Sequence, residues 1–185
     1  MKLILSLFIV LFLISSVSAI ENAEQIHSLG SLDAPVTIDM YTDFACSYCQ
    51  RFSEQVLPLI KSEYIDTGMV KLVYMAFPIV SDNSQKAAEA AECAGDQDNF
   101  WEMHDKLFGQ LDEWGDSGKA VVIFKKYAGE LHIEWTAFSR CIDTGKYREK
   151  VQDQKDTGTY WAVTGVPTFF INGKVITGAQ TFSVF

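Results

Sequence analysis

A strand–helix–strand pattern in the first half of the chain is the sequence feature that most constrains the fold. Residues 36–42 (VTIDMYT) are rich in β-branched and aromatic side chains and predict a strand. Apolar side chains recur every three or four positions over residues 47–65, which predicts an amphipathic helix that Pro58 kinks. Residues 69–77 predict a second strand, which Pro78 ends. Such a unit predicts two parallel strands and a right-handed crossover.

The rest of the chain predicts a helical insertion and a hairpin. From about residue 82 to residue 160 the apolar spacing is helical. Two short β-rich runs, 167–171 and 174–177, then flank Asn172-Gly173, which is a strong signal for a tight hairpin. The predicted fold class is therefore α/β, with a βαβ unit, a helical insertion and a ββ hairpin in one domain.

The first residues predict export. Lys2 precedes an almost entirely apolar run, and small residues follow it up to Ala19. We expect residues 1–19 to be a signal peptide and residues 20–185 to form the mature domain. An uncleaved N-terminal anchor is the alternative. In both cases we expect an extracytoplasmic protein, whether periplasmic, secreted or membrane-anchored and facing outward, and in such compartments disulfides persist.

Composition excludes several classes of protein. Hydrophobic residues make up 48% of the chain and charged residues 21%, a balance that excludes intrinsic disorder. Fifteen basic against 24 acidic residues give a net charge of −9, so we expect no nucleic-acid partner. The histidines, His27, His104 and His132, show no ligand spacing, and we expect neither a metal site nor a cofactor.

Cys46 and Cys49 lie at the junction between the first predicted strand and the predicted helix. A helix N-terminus favours an anion, so the thiolate of Cys46 should be stabilised there. Cys49 lies one turn later and can form a short, reducible disulfide with Cys46. The alternatives are a structural disulfide or half of a zinc site, although zinc needs a second close pair and Cys93 and Cys141 are far apart in the sequence.

Several segments together resemble the DsbA-like family of exported thioredoxin-fold thiol–disulfide oxidoreductases. They are DAPVTIDMYTDFACSYCQRF, AAECAGDQDNFWEMHDKLF and GVPTFFINGK, and the likeness covers most of residues 30–182. The resemblance implies a thioredoxin-like fold with an inserted helical domain. It also implies that Cys46 is the exposed nucleophile and Cys49 the buried resolving cysteine.

The resemblance also indicates a substrate-binding region. It implies that the Val166–Pro167 bond is cis and faces the cysteine pair. The backbone of Val166 would then be available for a substrate chain to add as an extra strand. Ser47 and Tyr48, between the two cysteines, are the other candidates for contact with substrate.

The second pair of cysteines lies in the predicted insertion. In an oxidising compartment Cys93 and Cys141 are expected to form a structural disulfide. Two free buried thiols, or a second redox pair that exchanges with the first, are the alternatives. We expect the pairing 46–49 with 93–141.

Two features depart from the family pattern. Many relatives carry a glutamate six positions before the first active-site cysteine, and here that position is Met40. Asp39 is adjacent, but strand alternation places it on the opposite face. Asp43 matches a family acid and could act as a helix cap. The family continues after GAQ into a helix, whereas this sequence ends at Phe185, so we expect either a fragment or a fold without that helix.

The predicted function is disulfide exchange with unfolded or reduced exported proteins by a monomeric, DsbA-like oxidase. The resemblance implies reoxidation by a membrane quinone-linked partner of the DsbB type. A reductase or isomerase of the same fold, or a redox-silent chaperone-like binding module, remains as the alternative. The dipeptide Ser47-Tyr48 does not show whether the protein oxidises or reduces its substrates. The reduction potential of the cysteine pair could lie anywhere from about −120 to −270 mV.

Overall fold

The structure is a computed structural model that describes residues 26–185. The predicted signal peptide or anchor, residues 1–19, and the predicted start of the mature domain at residue 20 lie outside the described residues. In the part of the chain that is described, no helix combines the length and the apolar character needed to cross a membrane.

A mixed five-stranded sheet forms the centre of the fold, in the order β1-β3-β2-β4-β5. The second and third strands pair in parallel, as the strand–helix–strand pattern predicts, and the other neighbouring strands are antiparallel. The predicted α/β class is confirmed. The strands are β1 Ser28–Leu29, β2 Val36–Thr42, β3 Val70–Ala76, β4 Thr168–Ile171 and β5 Lys174–Thr177.

The crossover between β2 and β3 consists of three helical pieces rather than one kinked helix. They are α1 Ser47–Gln55, α2 Leu57–Ile60 and a π-helical turn, Lys61–Ile65. The break falls at Val56, whose φ is −112°. Pro58 lies in the first turn of α2, where a missing N–H costs no intrahelical hydrogen bond.

A helical block follows β3 and occupies the region where the sequence predicts the insertion. Its helices are α3 Ser84–Gly95, α4 Phe100–Gly109, α5 Leu111–Trp114, α6 Ala120–Glu130, α7 Trp135–Thr144 and α8 Arg148–Tyr160. A disulfide between Cys93 and Cys141 joins α3 to α7. The Trp114 ring packs against Phe124 and donates its N–H to the carbonyl of Leu107 at 2.8 Å.

The hairpin turn connects β4 and β5 and is also bonded to the start of β2. Asn172 and Gly173 both have positive φ angles, 45° and 85°, which suits a tight hairpin. The side chain of Asn172 accepts a hydrogen bond from the backbone N–H of Thr37 at 3.0 Å. The hairpin is thereby held against the central strand.

The two faces of the sheet carry different helices because side chains alternate along β2. Met40 belongs to the main core, together with α1, whose Phe52 packs on Phe169 with ring centres 4.5 Å apart. Tyr41 belongs to a second cluster with Phe77. A side chain at Gly158 of α8 would collide with these two rings, so α8 approaches the sheet closely at this point. A short 3₁₀ turn, Phe182–Val184, lies near the end of the sequence.

Candidate active site

The loop between β2 and α1 is bonded to the segment that follows β3. One carboxylate oxygen of Asp43 accepts the N–H of Ala45 at 2.8 Å. The other accepts the N–H groups of Ile79 and Val80 at 2.7 and 2.8 Å. Asp43 is therefore a buried anchor between two loops, and the suggestion that it caps the helix is wrong.

Cys46 itself is the N-cap of α1. Its backbone is extended, with φ −90° and ψ 117°, and its sulfur accepts the backbone N–H of Cys49 at 3.4 Å. The pKa of Cys46 is lowered to about 7, mainly because the Cys49 thiol donates a hydrogen bond to it and also because the N–H groups of Cys49 and Tyr48 do so. Burial and the charge of Asp43 act in the opposite direction.

The pKa of Cys49 is shifted in the opposite direction from that of Cys46. Its side chain lies in the main core, and burial raises the pKa of its thiol far above the usual range. The hydrogen bond with Cys46 raises this pKa further, while contacts with Thr42 and Asp43 lower it. Both thiols are free, so the structure represents the reduced, dithiol form.

Cys46 is less accessible than the resemblance implies. Only 6% of it is exposed, compared with 1% of Cys49. Cys46 is buried because the segment before β4 lies over its sulfur. By contrast, 58% of Tyr48 is exposed, and the guanidinium of Arg51 lies 5.0 Å from the centre of its ring. Ser47 is also exposed at the start of the helix.

The segment before β4 supplies the other side of the site. The Val166–Pro167 peptide bond is cis, and the carbonyl of Val166 accepts a hydrogen bond from the Cys46 thiol at 3.6 Å. The carbonyl of Pro167 accepts the N–H of Gly178, which fixes this segment against β5 at 2.8 Å. The structure thus brings Cys46, Cys49 and Val166 together at one end of the sheet.

The position at which many relatives carry a glutamate is buried in the same core as the two cysteines, but here it offers no acid. Met40 is 2% exposed and belongs to the same core as Cys49. Burial raises the pKa of Asp39, which lines a cavity with Tyr41 and Trp161 instead of facing the thiols. Asp39 does not replace the glutamate.

Sequence reasoning missed one polar residue on this face. Tyr74 of β3 is the register partner of Met40, and it is 1% exposed. Side chains of register partners emerge on the same face of a sheet, so Tyr74 faces the core that holds Cys49. A tyrosine in the middle of a mainly apolar strand was the available signal, but its significance appears only from the strand register.

Comparison with known proteins confirms the predicted thioredoxin-like fold. The family model described as "Thioredoxin" matches residues 21–185. "Probable disulfide bond formation protein D" of Bacillus anthracis is 32% identical over 154 residues, which cover 80% of this chain and 70% of that protein.

Solved structures share the fold. The crystal structure of oxidised BdbD from Bacillus subtilis matches with a TM-score of 0.78 and 26% identity, covering 84% of this chain and 86% of that one. Alpha-DsbA1 of Wolbachia pipientis matches with a TM-score of 0.79 at 24% identity, covering 88% and 87%.

Proposed function

The chain belongs to the DsbA-like family of thioredoxin-fold proteins and is a thiol–disulfide oxidoreductase, and we propose that it acts as an extracytoplasmic oxidase of exported proteins. A relative named for disulfide bond formation supports the oxidising direction. The apolar segment that precedes residue 20 supports the location outside the cytoplasm.

The observation that carries the proposal is the opposite perturbation of the two thiols. Cys46 has a pKa of about 7, whereas burial keeps Cys49 protonated. In thiol–disulfide exchange the thiol with the lower pKa is the better leaving group. Cys46 is therefore the sulfur through which substrate is joined and released, and Cys49 is the resolving cysteine.

The reaction proceeds in two exchanges. A substrate thiolate attacks the Cys46 sulfur of the oxidised pair, a substrate–Cys46 disulfide forms, and Cys49 leaves with the electron pair and takes up a proton. A second substrate thiolate then attacks the substrate sulfur of this mixed disulfide. Oxidised substrate is released, and Cys46 leaves as a thiolate.

Two parts of the protein hold the substrate: the backbone at Val166 and the exposed first residues of α1. The carbonyl of Val166 lies against the Cys46 sulfur, so an extended substrate chain that pairs with Val166 brings its own sulfur to Cys46. Pro167 has no N–H and leaves this edge free of a competing donor. Ser47 and Tyr48 border the same place and contact the flanking substrate residues.

The membership in the DsbA-like family supports the partners that we propose for this cycle. Reduced, unfolded exported proteins are the substrates, and a membrane quinone-linked protein of the DsbB type restores the Cys46–Cys49 disulfide. The enzyme works as a monomer.

A redox titration against glutathione, combined with disulfide transfer to a reduced test protein, tests the direction. We expect a potential less negative than about −200 mV and stoichiometric transfer from the oxidised enzyme. A potential near −270 mV without transfer would contradict the oxidase and favour a reductase. The variant Cys46→Ser should lose all exchange, whereas a redox-silent binding module would keep its effect.

A further inference from the structure

Four buried side-chain atoms in residues 26–185 have no hydrogen-bond partner. They are Tyr74 Oη, Glu92 Oε1, His104 Nε2 and Ser139 Oγ. A buried polar atom without a partner destabilises a fold, so each such atom calls for a reason. Three of them, on Tyr74, Glu92 and His104, belong to one cluster. The Tyr74 ring contacts His104 and Phe100, and Phe100 stacks on His27, which is bonded to Glu92.

Within this cluster, Tyr74 is the residue that the sheet connects to the active-site cysteines. Its register partner is Met40, and the next pair on the same face is Thr42 with Ala76. Thr42 is hydrogen-bonded to the Cys49 thiol. The ring of Tyr74 also stacks on Phe44, two residues before Cys46, with ring centres 5.5 Å apart. Tyr74 therefore lies on the sheet beside the residue that contacts Cys49.

His104 connects the same cluster to solvent. It is fully buried on α4, and its ring lies edge-on to Tyr74 with centres 6.3 Å apart. Its Nδ1 is bonded to Asp105 Oδ1 at 2.8 Å, and 77% of the Asp105 side chain is exposed. One ring nitrogen of His104 therefore contacts a solvated carboxylate, while the other, Nε2, is buried and has no partner.

The charged and titratable groups around Tyr74 come from every neighbouring element. Glu92 of α3 acts on Tyr74 through its charge, and the Glu92 carboxylate is held through Oε2 by His27 at 2.8 Å and Lys150 at 2.6 Å. Asp43 and Cys49 act on it from the loop and α1. Burial first, and then the charges of Glu92, Asp43 and Cys49, raise the pKa of Tyr74. The hydroxyl is thus kept protonated, as a proton donor must be.

Cys49 requires such a donor. Cys49 is only 1% exposed. Its sulfur must receive a proton when substrate opens the disulfide, and it must lose that proton when the disulfide closes. We propose that Tyr74 is the proton-transfer residue for Cys49, that a bridging water connects its hydroxyl to the Cys49 thiol, and that His104 exchanges protons with Tyr74 across another water. This inference rests on the proposed function.

Atoms and charges balance along this path. The substrate–Cys46 bond forms, the Cys46–Cys49 bond breaks, and the electron pair stays on Cys49. The Tyr74 hydroxyl has no direct hydrogen-bond partner, so its proton moves to Cys49 through a bridging water. A proton leaves His104 Nε2 for Tyr74 through a second water, and a proton from solvent enters His104 at Nδ1 beside Asp105. Closure of the disulfide reverses each transfer.

The test is a stopped-flow measurement of the reaction between oxidised protein and a reduced peptide, from about pH 5 to pH 8.5, for Tyr74→Phe. The change removes one oxygen and keeps the ring. General acid catalysis is typically worth a factor of a hundred or more, so we expect a rate at least about tenfold lower at pH 8. The difference should shrink towards pH 5, where hydronium ions replace the donor.

A proton carrier speeds both directions equally and leaves the equilibrium unchanged. Tyr74→Phe should therefore slow the reverse reaction by the same factor while the reduction potential and the alkylation rate of Cys46 stay as in wild type. A merely structural role would move the potential or the Cys46 pKa instead. His104→Asn, which keeps a polar group beside Asp105 but lacks Nε2, should show the same pH-dependent loss.

Ser139→Ala is the matched control, because it also removes one buried hydroxyl without a partner, on α7, which packs against α3 and α6. Both Tyr74→Phe and Ser139→Ala should keep the melting temperature or raise it by about 2–4 °C. Only Tyr74→Phe should change the exchange rate. Wild-type exchange that is unaltered in Tyr74→Phe at pH 8 would overturn the relay alone, whereas absence of exchange in the wild type would overturn the proposed function.

Discussion

Replacing Cys49 tests how its thiol sets the reactivity of Cys46. The hydrogen bond that the Cys49 thiol donates is the largest cause of the low pKa of Cys46. Cys49→Ala removes this donor but keeps the backbone N–H that reaches the Cys46 sulfur at 3.4 Å. Cys49→Ser is the matched control, since its hydroxyl can donate a hydrogen bond from the same position.

The expected magnitude follows from the strength of that bond. A hydrogen bond to a charged group is worth about 1.5–3 kcal/mol, and 1.36 kcal/mol corresponds to one pKa unit. Cys49→Ala should therefore raise the pKa of Cys46 from about 7 to about 8–9. Cys49→Ser should leave it near 7, because a donor is retained.

The assay is the rate of iodoacetamide alkylation as a function of pH. Only the thiolate reacts, and Cys46 is the single free cysteine of the described residues in either variant, since Cys93 and Cys141 are joined. If Cys49→Ala and Cys49→Ser titrate within half a unit of each other, the side-chain hydrogen bond is not what lowers the pKa. The helix N-terminus alone would then have to account for it.

Two further predictions concern stability. Replacing both Cys93 and Cys141 by alanine opens a loop with a sequence separation of 48. Chain entropy gives an upper-end loss of roughly 4 kcal/mol, measurable as a lower urea midpoint. The exchange rate should not change, and a slower exchange would instead indicate a second redox pair. A Cβ at Gly158 would lie 2.7 Å from Phe77 and 2.8 Å from Tyr41, so Gly158→Ala should destabilise the fold by about 1–3 kcal/mol. Gly129→Ala, in open space on α6, should stabilise it by up to about 1 kcal/mol, and equal melting temperatures for the two variants would refute this account.

The parts of the fold that could be predicted from sequence depend on local pattern. Two β-rich runs around an amphipathic helix lead directly to parallel β2 and β3, and Asn172-Gly173 leads to the hairpin. Pro58 correctly signals a break in the crossover helix. The break lies at Val56, because Pro58 fits within the first turn of α2 and the chain must turn before it.

The parts that could not be predicted depend on contacts between distant residues. The burial of Cys46 comes from Val166, which is 120 positions away in the sequence. The role of Asp43 depends on the N–H groups of Ile79 and Val80, more than 30 positions later. Tyr74 gains its significance only from the register that sets it beside Met40. Periodicity identifies the elements, but it contains no information about which loops meet.

The low pKa of Cys46 determines which of the two sulfurs reacts. It contributes much less to the direction of exchange. A pKa lowered from 9 to about 7 stabilises the reduced form fully above pH 9, and this stabilisation is lost as the pH falls through 7. At pH 7 it amounts to RT ln 2, about 0.4 kcal/mol, or about 9 mV, and at pH 8 to about 1.4 kcal/mol, or about 30 mV. These values are small beside the span of about 150 mV between strong oxidants and reductants of this fold. Half of Cys46 is nevertheless thiolate at pH 7, which is enough to make it the leaving group in every turnover. Oxidation at neutral pH must therefore be driven mainly by other interactions of the reduced pair and by the partner that reoxidises it.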